Sequence, residues 1–395
     1  MIIYNLTRNN SIIPEKSLRL KLSYHENLEL FISDSLYFFL TKGKQRIDNN
    51  VNEWDNYKKI TNPYEFIHTP IHNNTRSVSS YEAVSRSFFK MIEIVNFYNI
   101  LEQFHHRSIK TFHLAEGPGG FIEAMMFLRN NTEDVYHGMT LINENRNVPR
   151  WTKLQNKFRF NSRIKYEYGV SGNGDLLNVK NLEYCFNKYG NSMDMLTGDG
   201  GFDFSVNYEK QEASSTKLVM AQIMYAVLLQ KKNGTFILKI FDIFRKPTTQ
   251  LIFLLNSLYE NVSICKPKTS RFANSEKYIV CKNFKLENSS VYLDAFKRIL
   301  TSFEDKGKHI HSIFNFDIPL KFMNEIEELN CILGKKQLNT IHSTLMMIQE
   351  KRTDKIDKFT KLNVNKCIEW CKNNNVPYHT KNNQKNIFTS VKTGL

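Results

Sequence analysis

The patterning of the chain predicts an α/β domain, a mostly parallel sheet with helices on both faces. From about residue 79 to 290, apolar runs of strand length alternate with stretches of helical spacing, which is how βαβ units read. A glycine-rich turn, Glu116-Gly117-Pro118-Gly119-Gly120-Phe121, joins one such strand to the helix after it. Glu116, Asp199 and Lys239 fall at or near the carboxyl ends of predicted strands, where sheets of this kind bind ligands.

Residues 1–78 are asparagine-rich and predict an N-terminal extension with a few helices, its apolar residues clustered at 28–31 and 36–40. Between Ser79 and Phe104 the apolar residues recur at helical spacing, from Ala83 and Val84 through Phe88, Met91 and Val95 to Ile100. Lys90 sits in that run, so a helix would carry its ammonium to the edge of the sheet. Lys110–Glu116 predicts a strand and Gly120–Arg129 a helix. Val135–Leu141 and Ile164–Tyr168 follow as strands and Val179–Tyr189 as a helix. Met193–Thr197 is a fourth strand, ending in Gly198-Asp199-Gly200-Gly201. The helix predicted over Ser214–Lys231 carries its apolar face on Leu218, Ala221, Gln222, Met224, Tyr225 and Leu228, and Gly234 stops it. Thr235–Ile240 is a fifth strand, Thr248–Leu258 a helix, and Val262–Cys265 and Lys277–Cys281 close the sheet. The predicted domain thus spans 79–290. Residues 291–395 predict a basic helical region, with Val364–Asn374 its clearest amphipathic piece.

At 395 residues, 41% hydrophobic and 13% aromatic, the chain has ample material for a core. A formal net charge of +15 favours a polyanionic partner, nucleic acid above all; a well-solvated basic surface is the alternative. The six cysteines show no paired C-x-x-C spacing, which suits a reducing compartment, and no metal site is expected. With neither a signal-like N-terminus nor an apolar run of ~18 residues, the expectation is a soluble intracellular protein that does not engage a membrane.

Gly119 and Gly120 allow the chain to turn sharply and a ligand to approach the main chain, with helix-start amides facing it. The dinucleotide fingerprint G-x-G-x-x-G is not met, since no third glycine follows at the required spacing. The turn suits a ligand without a pyrophosphate, such as S-adenosylmethionine.

Five pieces in order carry a family resemblance: Ser85-Arg86-Ser87-Phe88-Phe89-Lys90; Glu116–Phe121; Gly198-Asp199-Gly200-Gly201-Phe202; Ile237-Leu238-Lys239-Ile240-Phe241-Asp242; and Lys266–Tyr278. Over roughly residues 80–285 the chain resembles the FtsJ-like ribose 2′-O-methyltransferases, and within them looks most similar to the cap-specific mRNA enzymes of eukaryotes and large DNA viruses. The resemblance implies a Rossmann-like fold that uses S-adenosylmethionine, with Lys90, Asp199, Lys239 and Glu276 as the catalytic tetrad. It places the cofactor against Glu116, Gly117, Pro118, Gly119, Gly120, Phe121, Thr140, Asp175 and Asp199. Asp175 would accept from the adenine amino group; the carboxylate usual for the cofactor ribose is not evident in Gly138-Met139-Thr140-Leu141, where Asn143 or Glu144 beyond it would serve. Lys246, Arg271, Asn274 and Ser275 would meet the substrate. Phe272 departs from the family pattern, standing where cap enzymes often have proline.

The chemistry fits these residue types. A ribose hydroxyl is a very weak acid, and a free lysine, with a pKa of about 10.4, is mostly protonated. Burial and a neighbouring cation favour the neutral amine, so Lys239 is expected to be the base and Lys90 the like charge beside it. Asp199 would orient Lys239, and Glu276 would hold Lys90. The implied substrate is the first transcribed nucleotide of capped mRNA, taken from cap-0 to cap-1. Ribosomal or transfer RNA, or a catalytically silent polymerase-associated subunit, are the alternatives. Other capping enzymes or RNA polymerase are the implied protein partners. The asparagine- and lysine-rich composition suggests a large DNA virus and a cytoplasmic or virion location, with the nucleus as the alternative.

Overall fold

The computed structural model of the chain describes residues 1–379 apart from 25–28, 72–75, 144–147, 202–210 and 306. Phe202 and Glu144, singled out above, lie outside the described residues.

The core of the molecule is an eight-stranded sheet. Its parallel part comprises β3 (Lys110–Leu114), β4 (Val135–Met139), β5 (Ile164–Glu167), β6 (Met193–Gly198) and β7 (Gln230–Ile240). The strand β9 (Lys277–Phe284) pairs antiparallel with β7, β8 (Tyr259–Lys266) pairs antiparallel with β9, and with β1 (Ile2–Asn5) at the edge the order is β1-β8-β9-β7-β6-β3-β4-β5. The chain starts at β3, moves outward through β4 and β5, then returns to β6 on the other side of β3. That reversal makes the gap between β3 and β6 the topological switch point, where such sheets open a crevice beyond the strand ends.

Strand alternation divides the interior into two cores. Phe236, Leu238 and Ile240 of β7 face one core with helices α6 (Val179–Tyr189), α7 (Gln211–Leu229), α8 (Lys246–Leu258) and α9 (Leu293–Ser302). Ile237 faces the other, with α3 (Ser87–Phe97), α4 (Gly120–Arg129) and the short α5 (Thr152–Lys157). Lys239, two residues from Ile237, therefore projects from the face that α3 covers. Local chemistry sets the helix ends: the Asn178 side chain accepts from the amides of Lys180 and Asn181 to start α6, and Pro247 stands in the first turn of α8.

The flanking segments are mainly helical, as expected, and also contribute strands. The strand β1 (Ile2–Asn5) extends the central sheet, pairing Ile3 with Cys265 along the edge of β8. A second, two-stranded sheet joins β2 (Leu18–Ser23) to β10 (His309–Phe314) across nearly the whole chain. The flanking helices α1 (Asp34–Asp48) and α2 (Val51–Thr61) pack on the long α10 (Leu320–Glu350). Ile47, Trp54, Ile341, Leu345 and Ile348 form a third small core there. The last described helix, α11 (Thr353–Asn373), buries Cys367, Ile368, Trp370 and Cys371 against the α3 side of the sheet. Residues before 79 and after 290 thus wrap the α/β domain together. Among the described residues, no helix is long and apolar enough to cross a membrane.

Candidate active site

The turn after β3 is built around Glu116. Gly119 has φ +107°, a conformation that disfavours any side chain. A Cβ on Gly120 would stand 2.2 Å from the Ser85 and Ser87 hydroxyls, so α4 meets the start of α3 at a distance only glycine permits. Glu116 is buried, and its Oε1 accepts from the Phe121 amide at 2.6 Å. The helix start expected to face a ligand anion is thus capped by the chain's own carboxylate. Phe121 offers the cofactor no ring, because its side chain is buried in the core, 6.1 Å from the Tyr278 ring. Burial pushes the Glu116 carboxyl well above the ordinary range, and nearby Asp199 adds to the shift against the Phe121 amide. Its Oε2 is buried without a hydrogen-bond partner among the described residues.

Two further loops close on this one. The Gly117 amide donates to Thr140 Oγ1 at 3.3 Å, and the Ile142 amide donates to the Asn173 carbonyl at 2.7 Å. The turns after β3, β4 and β5 are thereby joined, with Asp175 on the third, its Oδ1 accepting from the Leu177 amide at 2.9 Å. On the other side of the switch point, the Asp199 amide donates to the Leu114 carbonyl at 3.2 Å. An orphaned carboxylate oxygen at Glu116 and the carboxylate of Asp199 suit a ligand bearing ammonium and sulfonium charge. S-adenosylmethionine carries both, so the residues present fit it.

The four residues of the expected tetrad converge. Lys90 Nζ lies 2.7 Å from Glu276 Oε1 and 2.9 Å from Oε2. Lys239 Nζ donates to the Asp199 carbonyl at 2.5 Å and stands 3.1 Å from Asp199 Oδ1. The buried Tyr278, paired with Lys239 across β7 and β9, sets its hydroxyl 3.4 Å from both Asp199 Oδ1 and Glu276 Oε1. The two ion pairs are thus bridged by one phenol. Burial would raise the Glu276 carboxyl, but Lys90, Lys239 and Lys266 outweigh it and hold the group well below the usual carboxylate range. Lys90 is itself shifted down by burial, against the pull of Glu276 and with help from the Arg86 cation.

The rim departs from its expected form. Lys266 is buried and donates to the Asn274 carbonyl and Oδ1, both at 2.8 Å, and to the Glu276 carbonyl at 2.5 Å. Burial pushes its pKa down to about 7. Lys277 is buried on the Phe241 carbonyl at 2.6 Å. Arg271 forms a bidentate pair with Glu65, Lys246 lies 3.9 Å from Asp317, and Ser275 donates to Gln211 Oε1 at 2.8 Å. Of these basic residues only Lys268 remains exposed. Phe244, Phe272 and Tyr278 are core residues. Sequence reading missed Glu65 and Glu93, and did not foresee the Tyr278 hydroxyl between the two ion pairs; an acidic residue one turn beyond Lys90 on the same predicted helix was the one available signal, for Glu93.

A parallel sheet carrying a glycine turn and a carboxylate at its switch point, closed by an antiparallel edge, defines a Rossmann-like methyltransferase fold. A family model for FtsJ-like methyltransferases matches residues 83–284, and the chain belongs to that family. It is 32% identical over 237 residues to cap-specific mRNA (nucleoside-2′-O-)-methyltransferase 1A of Caenorhabditis briggsae, covering 56% of this chain and 26% of that protein. Over 243 residues it is 29% identical to cap-specific mRNA (nucleoside-2′-O-)-methyltransferase 1 of Trypanosoma brucei brucei, covering 60% and 64%. A Caenorhabditis briggsae protein named as an inactive enzyme of this type, 1B, is 31% identical over 236 residues, covering 56% and 27%. The chain thus spans about a quarter of the length of the Caenorhabditis relatives. Identity alone does not separate active from inactive relatives, so the site must.

Proposed function

We propose that the chain transfers a methyl group from S-adenosylmethionine to the ribose 2′-hydroxyl of the first transcribed nucleotide of capped mRNA. The observation that carries this reading is the two ion pairs, Lys90–Glu276 and Lys239–Asp199, meeting at the Tyr278 hydroxyl beyond the switch point. Bound S-adenosylmethionine would supply a methyl group already electrophilic on its sulfonium.

The protein's part is to hold the ribose oxygen in line and take its proton, and such alignment can contribute ~7–11 kcal/mol. The two lysines are placed differently. Lys90 is gripped by both oxygens of one carboxylate, an arrangement for a fixed ammonium. Both acceptors at Lys239 come from Asp199, which leaves the rest of its Nζ to meet the ribose hydroxyl. Lys239 therefore acts as the base, Asp199 orients it, and Lys90 with Glu276 fixes the local charge and the ribose. The net charge of +15 supports an RNA substrate, and the names of the relatives support a capped one. Capping enzymes or an RNA polymerase would be the fitting protein partners.

A relative named inactive makes a silent subunit the second reading, and the complete tetrad opposes it. Replacing Lys239 with alanine tests the choice. Methyl transfer from labelled cofactor should fall at least ~100-fold, the scale of a lost general base, with cofactor affinity by calorimetry unchanged. Undiminished transfer would remove Lys239 from its role.

A further inference from the structure

The segment from Pro267 to Ser275 leaves β8, includes no helix or strand, and delivers Glu276 to the mouth of β9. Two buried carboxylates outside the tetrad hold it. Glu93, one helical turn beyond Lys90 on α3, accepts from the Lys268 amide at 2.8 Å, the Thr269 amide at 3.1 Å and Thr269 Oγ1 at 2.9 Å. Trp370 of α11 donates its indole Nε1–H to the same carboxylate at 3.2 Å. Glu65, in the N-terminal segment, receives Arg271 through Nε at 2.9 Å and Nη2 at 2.5 Å, with Asn62 Nδ2 at 2.7 Å and Thr69 Oγ1 at 3.0 Å. The loop in turn holds the tetrad, because Ser270 Oγ donates to Glu276 Oε1 at 2.9 Å and Lys266 grips the Glu276 carbonyl.

We propose that Glu65 and Glu93 are positioning residues that fix the 267–275 loop, and through it the place where Glu276 holds Lys90. The inference rests on the methyl-transfer reading. Fully hydrogen-bonded buried carboxylates are rigid anchors, and a bidentate arginine adds direction as well as strength. The loop, by contrast, has no ladder of its own to resist local opening. Glu65 and Trp370 both lie outside the span that matches the family, 83–284. The N-terminal segment and α11 therefore complete this active site by bracing its loop from two sides, with α3 between them carrying Lys90 and Glu93 on one face.

The test uses the full chain with Glu65→Gln, Trp370→Phe and a control, Asn363→Ala. Asn363 ties α11 to the Ile60 carbonyl at 2.7 Å and does not touch the loop. Methyl-transfer kinetics, cofactor affinity, melting temperature and amide hydrogen exchange across 267–276 are measured together. Glu65→Gln should lower kcat roughly tenfold to a hundredfold, the scale of a misplacement near 1 Å. The RNA KM and cofactor affinity should change little. Trp370→Phe should act in the same direction more weakly, and both should speed exchange within the loop. Asn363→Ala should lower the melting temperature without either effect. Wild-type exchange in the loop of both variants, or an equal kcat loss in the control, would overturn the proposal. A wild-type protein that methylates no RNA would sink the methyltransferase reading, while loop exchange would still decide whether these residues brace the loop.

Discussion

At the scale of single residues, the site is a small set of charges made tolerable by pairing. A buried ion whose partner is removed costs about 3–5 kcal/mol, so Glu276→Gln should destabilise the fold by a free energy of that order, by leaving Lys90 buried without its carboxylate. The pH dependence has a definite sign. Glu276 has a folded-state pKa below its ordinary value, so on acidification the unfolded chain takes up this proton first. The stability the pair contributes is present above about pH 4.3 and is lost as pH falls toward the depressed folded value. Denaturant melts of wild type and Glu276→Gln should differ at pH 7, with the gap narrowing progressively as pH falls below ~4; a constant gap would contradict the assignment. At this scale the sequence was informative where a residue is improbable in its setting. Lys239 between Leu238 and Ile240 announces itself. Glu65 does not, because a glutamate among polar neighbours looks exposed until Arg271, 206 residues away, is folded against it.

At the scale of elements, α3 does more than deliver one lysine. Arg86, Lys90 and Glu93 follow one another at spacings of four and three, which puts them on one helical face. Each meets a different carboxylate or loop: Arg86 lies 3.9 Å from Glu65, Lys90 pairs with Glu276, and Glu93 binds residues 268–269. The parallel strands were legible because each is a dense apolar run bounded by turn residues, and the predicted Gly120–Arg129 and Val179–Tyr189 helices match α4 and α6. The strand β1 was not, because four residues become a strand only by pairing with β8, some 260 positions on. Covering an edge strand protects it from pairing with other chains. Deleting residues 1–6 should therefore expose the β8 edge, lower the melting temperature and promote self-association in light scattering. A stable monomer of unchanged melting temperature would show that β1 is dispensable. The same edge ends at Lys266, so methyl transfer should also suffer.

At the scale of the whole molecule, a family domain of about half the chain is held between two flanks that share cores with it and with each other. Composition and patterning foresaw a basic, well-packed α/β protein, but not that most of the basic residues near the site are tied up in internal contacts. That is tertiary information: the burial of Lys266 and Lys277 comes from strand pairing. On the proposed reading, RNA would be drawn by charge spread over the surface rather than by a dense ring at the site, and affinity should fall with salt. The central claim is chemical, and one measurement tests it most directly. Labelled methyl from S-adenosylmethionine is offered to three matched short RNAs, one with an N7-methylguanosine cap, one with an unmethylated cap and one with a bare triphosphate. The account predicts label on the first nucleotide's 2′-oxygen of capped RNA and none on the triphosphate RNA. Equal label on all three, or none on any while the cofactor still binds, would contradict it.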